Sequence, residues 1–154
     1  MTGANNAAYL KGARNLELQN GGTLRNRNSL LGDIVGSSPA YVKDTDSIYV
    51  GANDGMLHGI NASNGNELFG YVPAGLNFTE LGSLSRPDYG HRYFVDGPTV
   101  VSTQASTPGN VNILVGSLGK GGKGVFALDV TNPDSFGASS VKWDKTGAGA
   151  DSNM

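Results

Sequence analysis

Apolar positions along this chain alternate with polar ones, and the alternation stops at regularly spaced turn signals, the mark of strands rather than helices. "SPAYVK" (residues 38–43) gives way to "DTD", then to "SIYVGA" (47–52). Asn53-Asp54-Gly55 reads as a hairpin signal, because a two-residue connection demands positive φ. "MLHGIN" (56–61), the turn "ASNG" and "NELFGYV" (66–72) follow. Together they predict a four-stranded antiparallel meander.

The same order then recurs. "GPTVVST" (97–103), "NVNILVGS" (110–117), "GVFALDV" (124–130) and "SSVKWDK" (139–145) form a second set of four. Gly51 aligns with Gly116, His58-Gly59-Ile60-Asn61 with Phe126-Ala127-Leu128-Asp129, and Phe69 with Trp143. Strands match while loops drift in length, as structural repeats do. The predicted fold is all-β, with two four-stranded meanders as consecutive blades of a larger β-propeller. An eight-stranded sandwich is the alternative, but a Greek key would reorder the strands. The chain divides into an irregular lead-in (1–30), a blade (31–72), a long inter-blade loop (73–95), a second blade (96–146) and a disordered tail (147–154). "NFTELGSL" within the loop predicts one helical turn, and the terminal "MTGANNAA" is expected to be disordered. Stacked repeats need about three units to bury a continuous core. The 154 residues therefore read as a fragment whose remaining blades are needed, and which alone folds poorly.

Composition narrows the function. Only 16% of residues are charged, and 24 are glycine, well above the usual share of about 7%. The surface is then carried by Asn, Ser, Thr and Gly at tight turns. Net charge is −2 and the 11 basic residues are scattered, so no concentrated cationic face exists for nucleic acid. No apolar run reaches membrane-spanning length, and no signal peptide is visible at the start. With no cysteine there is no thiolate ligand, Cys nucleophile or disulfide, and the compartment stays open.

Each candidate motif has an architectural explanation. "GKGGKG" (119–124) fits G-x-G-x-x-G, but a strand follows where a helix N-terminus must hold the phosphate. Asp44 and Asp46 form D-x-D without the further ligands of a calcium loop, so they read as a polar hairpin turn. His58 occupies the slot of Phe126 and reads as a structural histidine. Two histidines give weak support for a metal site. Neither catalytic residues nor metal ligands are assigned. Long loops on rigid scaffolds carry contacts, which makes Arg86, Asp88, Tyr89, His91, Arg92 and Tyr93 the candidate partner-contact residues.

The segments "RNRNSLLGDIVGSSPAYV", "YVGANDGMLHGINASNGNELFGYVP", "PDYGHRYFVDG" and "GSLGKGGKGVFALDV" resemble the C-terminal β-propeller of the PilY/PilC family. These are tip-associated adhesin and assembly factors of type IV pili in Gram-negative bacteria. The resemblance implies a blade related to quinoprotein repeats, which Val50, Gly51, Asp54, Gly55, Leu57, His58 and Gly65 fit. It implies a non-enzymatic module supporting pilus assembly, retraction control and attachment, with pilus components and host or abiotic surfaces as partners. It also implies export, through a signal peptide outside this stretch, to the pilus tip, cell surface or outer membrane and periplasm. Family members can bind calcium through a D-x-D-x-D-G loop that this stretch lacks, so no cofactor is expected here. The rival reading is a quinoprotein dehydrogenase using pyrroloquinoline quinone. That chemistry needs a Trp stacked on the cofactor at a central funnel, whereas Trp143 falls on an outer strand. An ordinary intracellular propeller scaffold is the third class.

Overall fold

The computed structural model describes residues 3–146. The expected tail, 147–154, lies outside them. Eight strands form two separate four-stranded antiparallel sheets in sequential order. The first holds β1 (Ala40–Val42), β2 (Ser47–Gly51), β3 (Leu57–Asn61) and β4 (Glu67–Tyr71). The second holds β5 (Thr99–Val101), β6 (Ile113–Ser117), β7 (Gly124–Asp129) and β8 (Val141–Thr146). The meander order read from the alternation is therefore the observed one.

Register makes the repeat residue-specific. Gly59 pairs with Phe69, and Ala127 with Trp143. Each pair is followed by a bulge, between Gly59 and Ile60 in one sheet and between Ala127 and Leu128 in the other. An extra residue in the outer strand, Leu68 or Lys142, increases local twist at the same place in both blades. The second strand corrects the alignment by one position. His58 pairs with Val50 and its counterpart Phe126 pairs with Gly116, so Gly116 corresponds to Val50, not Gly51. The two glycines exist for different reasons. A Cβ on Gly116 would lie 2.5 Å from the Phe126 ring, whereas one on Gly51 would strike the Val95 carbonyl.

The Asn53–Gly55 turn also differs from the two-residue expectation. Gly55 N–H donates to the Ala52 carbonyl at 3.2 Å and Ala52 N–H to the Met56 carbonyl at 2.9 Å. Of the three residues between, only Gly55 has positive φ, at 93°. This is a three-residue connection closed by a left-handed glycine.

The sheets pack face to face through a shared core. Phe69 of β4 stacks on Phe136, which follows β7, with centroids 3.8 Å apart. Tyr71 leans on Phe126 at 5.5 Å, and its hydroxyl donates to Asp144 on β8 at 2.6 Å. At the opposite edge Asp44 accepts from Gln104 N–H and from the Asn112 amide, both at 2.9 Å. Those bonds hold its carboxyl below the usual range. Asp46 accepts from the Tyr41 and Ser63 hydroxyls. The D-x-D pair thus locks a turn and joins the blades.

The lead-in is more ordered than expected. Residues Gly3–Leu10 form α1 instead of a disordered start. Arg27 anchors the segment: its guanidinium lies 3.6 Å over the Tyr9 ring, donates to the carbonyls of Tyr9 and Ala13, and pairs with the fully buried Glu17 at 2.8 Å. The predicted turn of helix appears as α2 (Phe78–Gly82), N-capped by the Asn77 side chain.

Candidate functional site

The up-and-down strand order puts the β2–β3 turn, the β4–β5 loop and the β6–β7 turn at one rim. Residues 25–36, from the end of the lead-in into the start of the first blade, cross the same rim. Asn53 pins three of these together. Its N–H donates to the Asp33 carbonyl, its amide to the Asp33 carboxylate, and its side-chain oxygen accepts from Phe94 N–H at 2.9 Å. Asp54 accepts from Gly32 N–H at 2.7 Å and Met56 N–H at 3.1 Å. Asp96 accepts from Gly36 N–H at 2.7 Å. The glycine-rich turn packs directly on this rim: a Cβ on Gly121 would overlap the Phe94 backbone. "GKGGKG" is therefore a close-packing turn leading into β7, and no helix N-terminus stands behind it.

The six candidate contact residues all lie on this rim, and most of their charges are paired. Arg86 grips Asp88 through two bonds, 2.9 and 2.7 Å, and this hydrogen bonding holds the Asp88 carboxyl below its ordinary value. Arg92 donates to Glu80 at 3.0 Å. His91 meets Asp33 at 2.7 Å. Burial pushes Asp33 up, but the bonds from His91 and Asn53 prevail and lower it. Tyr89 lies under the Arg25 guanidinium at 4.7 Å, and its hydroxyl accepts from Arg92 N–H. Tyr93 contacts the His91 ring edge-on at 4.9 Å and the Lys120 ammonium at 4.9 Å. Arg86, Asp88, His91 and Arg92 are exposed.

Sequence reasoning missed Arg25 and Asp33, which come from another segment and fasten the loop, and Glu80, which braces it from its own short helix α2. Arg25 Nε donates to the Leu84 carbonyl at 2.8 Å, tying lead-in to loop. Between them opens a cleft of about 460 Å³ lined by Tyr9, Arg25, Asn28, Asp33, Asn53 and Tyr89. A second cleft of similar volume separates Leu10, Leu30 and Leu31 from the outer face of the first sheet at His58, Ile60 and Gly70.

His58 is a satisfied structural histidine, as the alignment with Phe126 implied. It is nearly buried between Asp54 at 3.0 Å and Glu67 at 2.5 Å. Burial lowers its pKa, but both carboxylates outweigh that and raise it. Among the described residues, no group of three or more His, Asp or Glu side chains is arranged to hold a metal ion, and no helix is long and apolar enough to cross a membrane.

Comparison with known proteins places this architecture. A family model for the PilY1 β-propeller domain matches residues 32–152. A type IV pilus biogenesis factor PilY1 homolog of Xylella fastidiosa is 38% identical over 91% of this chain and 14% of its own length. The type IV pilus biogenesis factor PilY1 of Pseudomonas aeruginosa is 38% identical over 85% of this chain and 14% of its own. The chain thus spans about a seventh of these relatives. The crystal structure of the Pseudomonas aeruginosa PilY1 C-terminal domain aligns with 66% of this chain and 18% of that one, at 38% identity and a TM-score of 0.44. The paired sheets, matching bulges and rim turns are those of a two-blade stretch, and the chain belongs to the PilY1 β-propeller domain family.

Proposed function

We propose that this chain is a non-catalytic scaffold within the propeller of a type IV pilus biogenesis factor, presenting the rim built on residues 73–95 to pilus components or to an attachment surface. Kinship to proteins named as pilus biogenesis factors supports the pilus role. The observation that carries the rim is its construction. Asn53 and Arg25 fix the long loop at Phe94 and Leu84, while Asp54 and Asp96 hold Gly32 and Gly36 on the same rim, so that exposed Arg86, Asp88, His91 and Arg92 stand on a rigid base. Rigid presentation lowers the ordering cost of binding. The reading assigns the segment no cofactor and places its work after export, at the cell surface or pilus.

The test is the double substitution Arg86→Glu, Arg92→Glu in the protein that carries this chain. Charge reversal at an exposed rim should reduce pilus-dependent motility and adhesion with protein level unchanged. Normal motility and adhesion at normal protein level would remove the rim from the account.

A further inference from the structure

Two arginines of the lead-in sit in matching surroundings and are completed differently. Arg27 lies over the Tyr9 ring at 3.6 Å, and Arg25 over the Tyr89 ring at 4.7 Å. Arg27 is buried and finds its partners within the chain, on the Glu17 carboxylate and the carbonyls of Tyr9 and Ala13. Arg25 is half-buried and fixed by its Nε bond to the Leu84 carbonyl. Among the described residues it pairs with no carboxylate. A guanidinium drawn partly out of water and held on an aromatic ring offers a planar fork that matches a carboxylate.

Arg25 lines the cleft of about 460 Å³ between the lead-in and the loop, a volume within the range of small-ligand sites. The rest of the wall divides by chemistry. Leu10, Leu30, Leu31 and Leu84 supply an apolar side, while exposed Asn28 and Ser29 supply hydrogen-bonding groups. The two acids of the wall are already engaged. Asp33 is held by His91 and Asn53, and Asp54 by His58 and the N–H groups of Gly32 and Met56. Among the described charged groups of this wall, Arg25 alone lacks an opposite charge.

We infer that this cleft binds an acidic side chain on an extended peptide segment of a partner protein. The carboxylate takes the terminal nitrogens of Arg25, and an adjoining aliphatic residue lies against the leucines. The inference rests on the rim reading and deepens it by naming the chemistry of the partner. An acidic sugar fits less well, because it needs an open aromatic face to lie on, and the Tyr9 and Tyr89 rings each already carry a guanidinium. Since the fork is fixed before the ligand arrives, little ordering opposes binding.

Calorimetric titration of the whole protein that carries this chain tests the assignment with three probes: acetyl-Ala-Leu-Asp-Leu-Ala-amide, the same peptide with Asn in place of Asp, and glucuronic acid. The acidic peptide should bind saturably, its Asn counterpart about tenfold more weakly or worse, and the sugar acid not at all. Arg25→Gln and Asn28→Asp should each weaken the acidic peptide by about tenfold or more. Asn28→Asp sets a rival carboxylate in the cleft and leaves the bond from Arg25 to Leu84 in place, so it decides the matter should Arg25→Gln misfold. Equal affinity for the two peptides, no binding of either, or unchanged affinity in Asn28→Asp would overturn the inference. So would binding of glucuronic acid in preference to the peptide, since that result assigns the cleft to acidic sugars. The rim reading fails separately. Normal motility and adhesion of the Arg86→Glu, Arg92→Glu protein would remove the rim whatever the titration shows, whereas a failed titration beside impaired motility would remove the cleft alone.

Discussion

The two blades share strand order, register and bulge position, yet they fill equivalent places with different residues. Where blade 1 has Tyr49 and Phe69, blade 2 has Val115 and Trp143; where blade 1 has His58, blade 2 has Phe126. The backbone is repeated and the side chains answer to their neighbours. Phe126 lies in the seam and is wholly buried. His58 lies on the reverse face of blade 1, where two carboxylates and a cleft replace a packed sheet. A residue's role in this fold is set by which face is covered, not by its place in the strand.

The sharpest way to break that comparison is to truncate equivalent aromatics. Phe69→Ala removes a buried, stacked ring and should cost about 3–5 kcal/mol by chemical denaturation. Trp143→Ala, at the matching position, should cost less than about 1 kcal/mol in this chain. Comparable losses would mean that the two faces are alike. Asp144→Ala comes next, because it strips the acceptor from both Tyr71 Oη and Ala74 N–H. About 1.5–3 kcal/mol is expected for losing the partly buried bond from Tyr71 to a charged acceptor, since water replaces the acceptor of the exposed Ala74 N–H, and Tyr71→Phe should cost less. Gly116→Ala tests the corrected register. Its Cβ would press on the Phe126 ring, an overpacking cost of about 1–3 kcal/mol. Gly137→Ala, with nothing within 4 Å of the added carbon, should be nearly silent.

The smallest effect is in pH. The folded-state pKa of His58 is raised by Asp54 and Glu67, so the protonated form binds its proton more tightly when folded. Stability from this group is full below the unfolded value of about 6.5 and is lost as pH rises through the raised folded value. Melting temperature should therefore fall across that window, and His58→Phe should flatten the slope. An unchanged slope would show that another group carries it.

Strand order and repeat were legible because alternation and turn residues are local signals. Phe69 and Trp143 could be matched from sequence since both follow the same pattern of loop and strand. Matching Gly51 to Gly116 failed because glycine identity was taken as equivalence, while one glycine yields to a backbone carbonyl and the other to a ring. The Asn53–Gly55 turn was visible as a turn but not as a three-residue one. Asn53 is occupied by Asp33 and Phe94, and Asp54 by Gly32, contacts that no local window contains. The same limit applied to the rim. Arg86, Asp88, Tyr89, His91, Arg92 and Tyr93 stood out by proximity along the chain, but Arg25 and Asp33 come from another segment and Glu80 lies in the loop's own helix. The ordered lead-in was invisible for that reason: Arg27 reaches Tyr9 and Glu17 across turns without periodicity.

Trp143 is the chain's one tryptophan, so its fluorescence reports directly on the open face. Acrylamide quenching of the monomeric chain should find an accessible indole with red-shifted emission, even as Tyr49 and Phe69 on the equivalent row stay buried. A blue-shifted, quencher-resistant indole in a monomer would mean that the second face is already covered, and would contradict the account.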